Sequence, residues 1–262
     1  MKNNIPHIIH YCWFGGRPLP EMAKKCIASW QTYFPDYEIK EWNESNFDVN
    51  AIPYTREAYE AKKYAFVSDY ARFKILYEQG GLYFDTDVEV IKDMSDLVAK
   101  GPFMGRERTV AESVERFGDK KSGLPISPGL GLAVNPGLGL AASPGLGLYK
   151  ELLDLYSALH FVENAKLNLK TVVDYTSELL VEHGLQYTDE VQQVAGIYIY
   201  TVDYFCPISV NDGKLRITAN TRSIHHYAQS WQSPARKWGR KLALMLGGER
   251  LKQILKQFLL RC

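Results

Sequence analysis

The sequence predicts an α/β fold: a mostly parallel central sheet with helices on both faces. Three observations predict it. Short apolar runs rich in β-branched and aromatic residues alternate with segments of helical periodicity. Glycine and proline punctuate the boundaries between them. Two aspartates, Asp85 and Asp87, stand just after one apolar run, at the strand end beyond which such sheets bind ligands. With 262 residues and 46% hydrophobic content, the chain is long and apolar enough to bury the core this fold needs.

Residues 8–14 (IIHYCWF) read as a buried strand that closes at Gly15-Gly16. In residues 21–33, Met22, Cys26, Ile27 and Trp30 recur at helical spacing, and Pro35 stops the helix. A second strand is expected over 37–42. One long helix is expected over about 56–79, with Ala58, Ala65, Phe66, Phe73, Leu76 and Tyr77 on its apolar stripe. Gly80-Gly81 ends it, because glycine accepts the left-handed conformation of a helix terminus. Residues 82–84 (LYF) follow as a strand, and 88–91 as its continuation. Further on, 149–159 and 171–183 read as helices and 197–205 as a tyrosine-rich strand.

The middle of the chain repeats with a period of eight: Pro-Gly-Leu-Gly-Leu follows Ser127, Asn135 and Ser143. Gly137, Gly139 and Ala142 formally satisfy a dinucleotide-binding fingerprint, but no strand and helix of a βαβ unit flank them, and we reject it. The Pro-Gly pairs read as successive turns of a duplicated loop. Deletion of residues 141–148, one period, is accordingly expected to be tolerated.

Lys+Arg (31) nearly balance Asp+Glu (30), so no global field points to nucleic acid, and none is expected as a partner. Cys12, Cys26, Cys206 and Cys262 lack the short spacings of zinc or redox sites, which fits a reducing compartment. The amino terminus lacks the unbroken apolar core of a signal peptide, and no run reaches the roughly 20 apolar residues of a membrane span. A cytoplasmic location is expected. Residues 236–262 carry eight Lys/Arg against one acid, Glu249, interleaved with leucines. This basic amphipathic tail suits the anionic inner face of a membrane or, equally simply, packing on the rest of the protein.

Asp85 and Asp87 are the centre of the chemical reading, since two carboxylates two residues apart after a buried strand can converge on one hard divalent cation. A DxD match alone is weak; its placement between a Gly-Gly helix end, an apolar strand and an open rim gives it weight. Asp69 and Arg72, three apart, share one face of the helix leading into that strand, either as a plain ion pair or as part of the same pocket. Trp13, just before Gly15-Gly16, can stack on a flat base or fill the core. His225 and His226, followed by Trp231, can complete a metal sphere or simply form hydrogen bonds.

Together these segments resemble a known family. The series Ile8-Ile-His-Tyr-Cys-Trp-Phe-Gly-Gly, Ala65-Phe-Val-Ser-Asp-Tyr-Ala-Arg, Gly80-Gly-Leu-Tyr-Phe-Asp-Thr-Asp and Ser223-Ile-His-His-Tyr with Trp231 is similar to the DXD-containing sugar-transferase family. That family takes in capsular-polysaccharide glycosyltransferases and fungal initiating mannosyltransferases, with the glucosylating clostridial toxins as distant relatives. The resemblance covers about residues 5–235, which sets a catalytic domain at 1–235 and the basic tail at 236–262. It implies a GT-A-type, Rossmann-like nucleotide-sugar-binding fold, a nucleotide-sugar donor, Mn2+ or Mg2+, and transfer with retention to a polysaccharide or lipid-linked glycan acceptor, in surface-polysaccharide synthesis.

By the same resemblance Trp13 stacks on the donor base, and Asp69 and Arg72 hold the donor sugar and phosphates. Asp85 contacts ribose and sugar, Asp87 coordinates the metal, His226, with His225 as the alternative, stands near it, and Trp231 closes over the pyrophosphate. The triplicated segment departs from the family's single glycine-containing loop near the donor sugar. Two other classes compete: a metal-dependent nucleotidyltransferase or phosphodiesterase, which needs acids for a second metal, and a non-enzymatic carbohydrate-binding protein, which leaves the four charged residues unexplained.

Overall fold

In the computed structural model, which describes residues 4–119, 124–125, 132–209 and 213–228, the first apolar run forms β1 (Ile8–Cys12). α1 (Glu21–Tyr33) follows and buries Ala23, Cys26 and Trp30, three of its residues on one face. β2 (Glu38–Trp42) then pairs in parallel with β1.

The long helix expected over 56–79 is two helices, α2 (Pro53–Glu60) and α3 (Tyr64–Gln79). Lys62 takes a positive φ of 57°, and the Lys63 amide donates back to the carbonyl of Ala58, five residues earlier. That pairing closes one helix and redirects the chain into the next. An apolar stripe at helical spacing runs across such a break unaltered, because both helices bury their apolar faces in one core.

α3 ends at Gly80 (φ 65°), and β3 (Gly81–Tyr83) begins at once beside β1. A Cβ on Gly81 (φ 98°) would lie 2.6 Å from the carbonyl oxygen of Ile8, so only glycine lets the two strands approach here. β4 (Val88–Val90) is not the continuation expected of it. The amide of Val88 donates to the carbonyl of Asp85, a tight turn that swings the chain off the sheet, and β4 pairs antiparallel with β14 (Ser223–His225) near the other end of the described chain.

Next come α4 (Ser95–Lys100), β5 (Phe103–Arg106), α5 (Val110–Phe117) and a two-stranded pair, β6 (Gly118–Asp119) and β7 (Leu124–Pro125). Copies two and three of the repeat, which the structure describes, make turns at their Pro-Gly pairs as expected, but the segment that joins them is a strand and not a loop. The second copy is a turn between β8 (Val134–Asn135) and β9 (Leu140–Ala142), and β9 lies between β3 and β5 in the middle of the main sheet. The third copy leads into α6 (Gly147–Ser157), whose Leu148, Tyr149 and Leu152 are buried. The rejected fingerprint thus lies on a turn and the strand that follows it, with Gly137 in the turn and Ala142 in β9. The expected tolerance of removing residues 141–148 does not fit this placement, because Ala141, Ala142 and Leu148 are core residues.

β10 (Val162–Glu163), β11 (Lys166–Leu167), α7 (Val172–Glu182), β12 (Gln192–Val194), β13 (Ile197–Tyr200) and α8 (Val202–Phe205) complete the described chain before β14. The strand expected over 197–205 stops at Tyr200 and gives way to α8, so Phe205 reaches the core from a helix. The main sheet runs β12-β13-β5-β9-β3-β1-β2, with β8 paired to β5. β1, β2, β3, β5 and β13 all point one way, since β9 is antiparallel to both β3 and β5. The sheet is therefore mostly parallel in direction, with β9 reversed at its centre and β8 and β12 reversed beside β5 and β13.

Helices cover both faces. On one, Tyr83, Met104, Leu140 and Ala142 join a core built with α2, α3, α6 and α7. On the other, Phe84 packs against Trp30 of α1 and against Phe34, and Phe103 stacks on Phe205 of α8. Among the described residues no helix is long and apolar enough to cross a membrane. Residues 236–262 and Trp231 lie outside the described residues.

Candidate active site

Asp85 and Asp87 leave the carboxyl end of β3, and the two partner segments predicted to meet them do so. Arg72 reaches from α3 with Nη2 3.0 Å from Asp69 Oδ1 and 3.3 Å from Asp85 Oδ1, while its Nε donates to the carbonyl of Ser68 at 3.1 Å. Tyr83, not singled out from the sequence, donates its hydroxyl to Asp85 Oδ1 at 3.2 Å, and its ring lies 4.9 Å beneath the guanidinium carbon of Arg72. Its position in Gly-Gly-Leu-Tyr-Phe-Asp was the available signal. Asp69 and Arg72 are 8% and 3% exposed, so this is a buried charge network rather than a surface ion pair.

Burial pushes the Asp69 carboxyl up to about 7; Arg72 pulls against the rise and the charge of Asp85 adds to it. Burial acts on Arg72 in the opposite sense, yet Asp85 foremost, with Tyr83 and Asp69, outweighs it and raises the guanidinium pKa. Both shifts fit one description: Asp85 is the principal counter-charge of Arg72, although Asp69 is slightly nearer. Arg72 Nη1 is buried and has no hydrogen-bond partner among the described residues. An anionic or hydroxylated ligand would satisfy it.

β14 brings the histidines. The expectation placed His226 at the metal and His225 as the alternative, and the structure reverses the order. His225 Nε2 lies 3.2 Å from Asp87 Oδ1, and Asp85, Asp87 and His225 offer ligand atoms within 4.8 Å of one another. His226 Nε2 instead meets Glu89 Oε2 at 2.7 Å. The cause is the two-residue period of a strand: adjacent side chains point to opposite faces, so one of the pair must turn away. The ladder fixes which, since His225 pairs with Val88 and the amide of His226 donates to the carbonyl of Asp87. Burial of the imidazole would lower the pKa of His225, but the charge and hydrogen bond of Asp87 raise it well above the usual histidine range.

Two carboxylates and an imidazole form a hard-to-borderline donor set that suits Mn2+ or Mg2+. Asp85, Asp87 and His225 are the one such cluster among the described residues.

The second repeat copy closes the site from the sheet side. The amide of Asp85 donates to the carbonyl of Gly137 at 3.0 Å, and a Cβ on Gly137 would lie 2.0 Å from Asp85 Oδ2. Asn135 Oδ1 accepts the Gly137 amide at 2.7 Å. The copy from Asn135 to Leu140 therefore abuts Asp85. Asn135 was marked by the sequence only as a member of the repeat, and Gly137 only as a member of the repeat and of the rejected fingerprint.

Trp13 is half-buried at the end of β1, its indole Nε1 donating to the carbonyl of Arg17 at 2.5 Å. Gly15 (φ 95°) and Gly16 (φ 64°) make the turn beside it, and the Gly15 amide is held by Glu44 Oε1 at 2.6 Å. The neighbouring Cys12, whose thiol burial pushes up to about 12, lies within the fields of Arg72, Asp85 and Asp69, so the Trp13 turn borders the charge network.

Comparisons with known proteins find the following similarities. A family model described as "Glycosyltransferase sugar-binding region containing DXD motif" matches residues 20–104. An uncharacterized glycosyltransferase of Acanthamoeba polyphaga mimivirus is 32% identical over 109 residues, 38% of this chain and 42% of that protein, so the chain spans less than half of this relative. Among solved structures, the PaToxG glycosyltransferase aligns with a TM-score of 0.49 at 18% identity, over 68% of this chain and 69% of that one. The galactosyltransferase LgtC, solved with donor and acceptor sugar analogs, aligns with a TM-score of 0.44 at 13% identity, over 92% and 95%. The residues matched by this family model, 20–104, hold Asp69, Arg72, Asp85 and Asp87.

Proposed function

We propose that this protein is a metal-dependent, retaining glycosyltransferase that moves a sugar from a nucleotide-sugar donor to a polysaccharide or lipid-linked glycan in surface-polysaccharide synthesis. The observation that carries the reading is the meeting at one strand end of a buried Asp69–Arg72–Asp85 network with the Asp85–Asp87–His225 donor set. Cleaving a sugar–phosphate bond builds negative charge on the departing nucleoside diphosphate. A divalent cation held by Asp87, Asp85 and His225 supplies Lewis-acid stabilisation of that charge.

The chain's own residues do the rest. Arg72 is fixed as a cation by two carboxylates and keeps Nη1 for a phosphate or sugar oxygen, so its charge is in place before the bond breaks. Asp69, beside Arg72, is assigned to the hydroxyls of the donor sugar. Trp13 offers a ring face to the base, and its position is secured by the Arg17 carbonyl and by the Glu44-held turn. Trp231 covers the pyrophosphate, and the tail at 236–262 docks on an anionic membrane face, bringing the site to a lipid-linked acceptor. A two-metal phosphodiesterase or nucleotidyltransferase is disfavoured by the single metal-ligand cluster among the described residues.

The test is a panel of nucleotide sugars assayed for hydrolysis and transfer with Mn2+, Mg2+ or excess chelator. Release of nucleoside diphosphate from one donor, lost in chelator, is the expected result. Full activity in chelator overturns the metal, and no turnover with any donor overturns the transferase.

A further inference from the structure

We propose that Glu107 is a positioning residue for Asp85, acting through the side-chain amide of Asn135 and the backbone of Gly137; the functional weight of this role rests on the glycosyltransferase reading above. Glu107 follows the last residue of β5, and its amide donates to the carbonyl of Ala133 at 3.0 Å, which fixes the root of the side chain. Its side chain is 15% exposed. One oxygen, Oε2, accepts Asn135 Nδ2 at 2.8 Å, and the other, Oε1, lies 2.8 Å from Arg108 Nη2.

An asparagine amide has a donor end and an acceptor end of nearly equal shape, and its neighbours decide which way it faces. An ionised carboxylate can only accept. Glu107 therefore draws the NH2 group of Asn135 to itself and leaves Oδ1 for the Gly137 amide, 2.7 Å away. With Asn135 reversed, two N–H donors would face each other at Gly137. The turn so fixed presents the Gly137 carbonyl to the Asp85 amide at 3.0 Å. It also places the Gly137 α-carbon where no side chain could stand beside Asp85 Oδ2. Glu107, Asn135, Gly137 and Asp85 thus form one chain of hydrogen bonds from β5 across β8 to the end of β3, in which each member has a single compatible orientation. Arg108, on the other oxygen, holds the carboxylate in place.

A reversal experiment tests this. Asn135→Asp sets a carboxylate against Glu107 and removes the donor, whereas adding Glu107→Gln restores a donor–acceptor pair of opposite polarity. The readouts are hydrogen exchange at the Asp85 and Gly137 amides, donor KM and kcat, and melting temperature. Asn135→Asp is expected to speed exchange at both amides and to cut kcat/KM by about tenfold or more, with Glu107→Gln in the same chain regaining most of both. Should Asn135→Asp fail to fold, Glu107→Met, similar in length but without an oxygen acceptor, must speed exchange at Gly137. Wild-type exchange in either single variant, or a double variant no better than Asn135→Asp, overturns the proposal. The exchange readout needs no turnover, so a wild-type protein inactive on every nucleotide sugar would sink the function reading while the positioning role was still decided.

Discussion

The amide of Asp85 donates to the carbonyl of Gly137, 52 positions further along the chain, and leaves no room between the two residues for a methyl group. Gly137→Ala is therefore expected to rotate the Asp85 carboxylate away from Arg72 and Tyr83, because the flexible carboxylate yields before the backbone does. Stability should fall by roughly 1–3 kcal/mol, as for overpacking of a filled site, while turnover falls by about 100-fold, as for displaced catalytic groups. Calorimetry and donor turnover check the split; a large loss of stability at normal turnover would contradict it.

His225 and His226 should separate cleanly. His225→Ala is expected to weaken Mn2+ binding by about tenfold or more, whereas His226→Ala breaks a contact with Glu89 on the opposite face and should leave the affinity near wild type. Asp87→Ala should abolish measurable binding. Titration of Mn2+ by electron paramagnetic resonance reads all three, and equal losses for the two histidine variants would show that the strand register differs.

Deleting residues 141–148 removes two residues of β9, the reversed strand between β3 and β5, and cuts into α6. Loss of a cooperative thermal transition is expected, because buried Ala141, Ala142 and Leu148 and the ladder to β3 go together. A soluble deletion variant with a sharp transition would show that copy two or one refills the place.

His10 should give stability a slope with pH. Trp42 Nε1 can only donate, so it fixes His10 Nδ1 as acceptor and leaves Nε2 to donate to the Gly80 carbonyl at 3.0 Å. Burial, with Lys40 adding to it and Gly80 opposing, pushes the imidazole down to about 4. Below the unfolded value of about 6.5 the unfolded chain takes up a proton that the folded chain refuses. Stability from this group is thus complete above that value and declines as pH falls towards 4, by on the order of 3 kcal/mol. Urea denaturation between pH 7 and 4 should show the decline, and His10→Asn should flatten it at a lower overall stability.

The basic tail is expected to carry the protein to anionic vesicles at low salt, each basic residue near the surface contributing about 1 kcal/mol. Flotation of the full chain beside a version ending at Pro234 checks this. Equal failure of both to float would leave the tail as a packing element.

What could be read from the sequence alone follows the range of the forces involved. β1, α1, β2 and the Gly80-Gly81 stop were legible because periodicity and turn chemistry are local. Asp69, Arg72, Asp85 and Asp87 were legible as a group because a helix, a glycine pair and a strand link them within 19 positions. The break at Lys62 was hidden by a stripe that both helices share. Choosing His225 over His226 required the pairing of β14 with β4, a contact across more than 130 residues with no local signature. The repeat misled most: Pro-Gly pairs mark turns correctly, but the leucines and alanines between them could be assigned to a central strand only once β3 and β5 were seen to flank them.

The octapeptide period has a consequence for how the chain reaches this state. A shift of eight residues is even, so sliding copy one into the place of copy two would keep every inward residue inward. Leu132, Ala133 and Val134 would then stand where Leu140, Ala141 and Ala142 pair with β3. The first two positions are chemically identical. Only the third discriminates, setting valine in the slot of a fully buried alanine, whose carbonyl lies close against the Gly80 α-carbon. Two methyl groups of excess volume, worth roughly 1–3 kcal/mol in a packed core, together with the replacement of Asn135 by Ser127 beside Glu107, thus separate the native threading from a decoy that the same chain carries within itself.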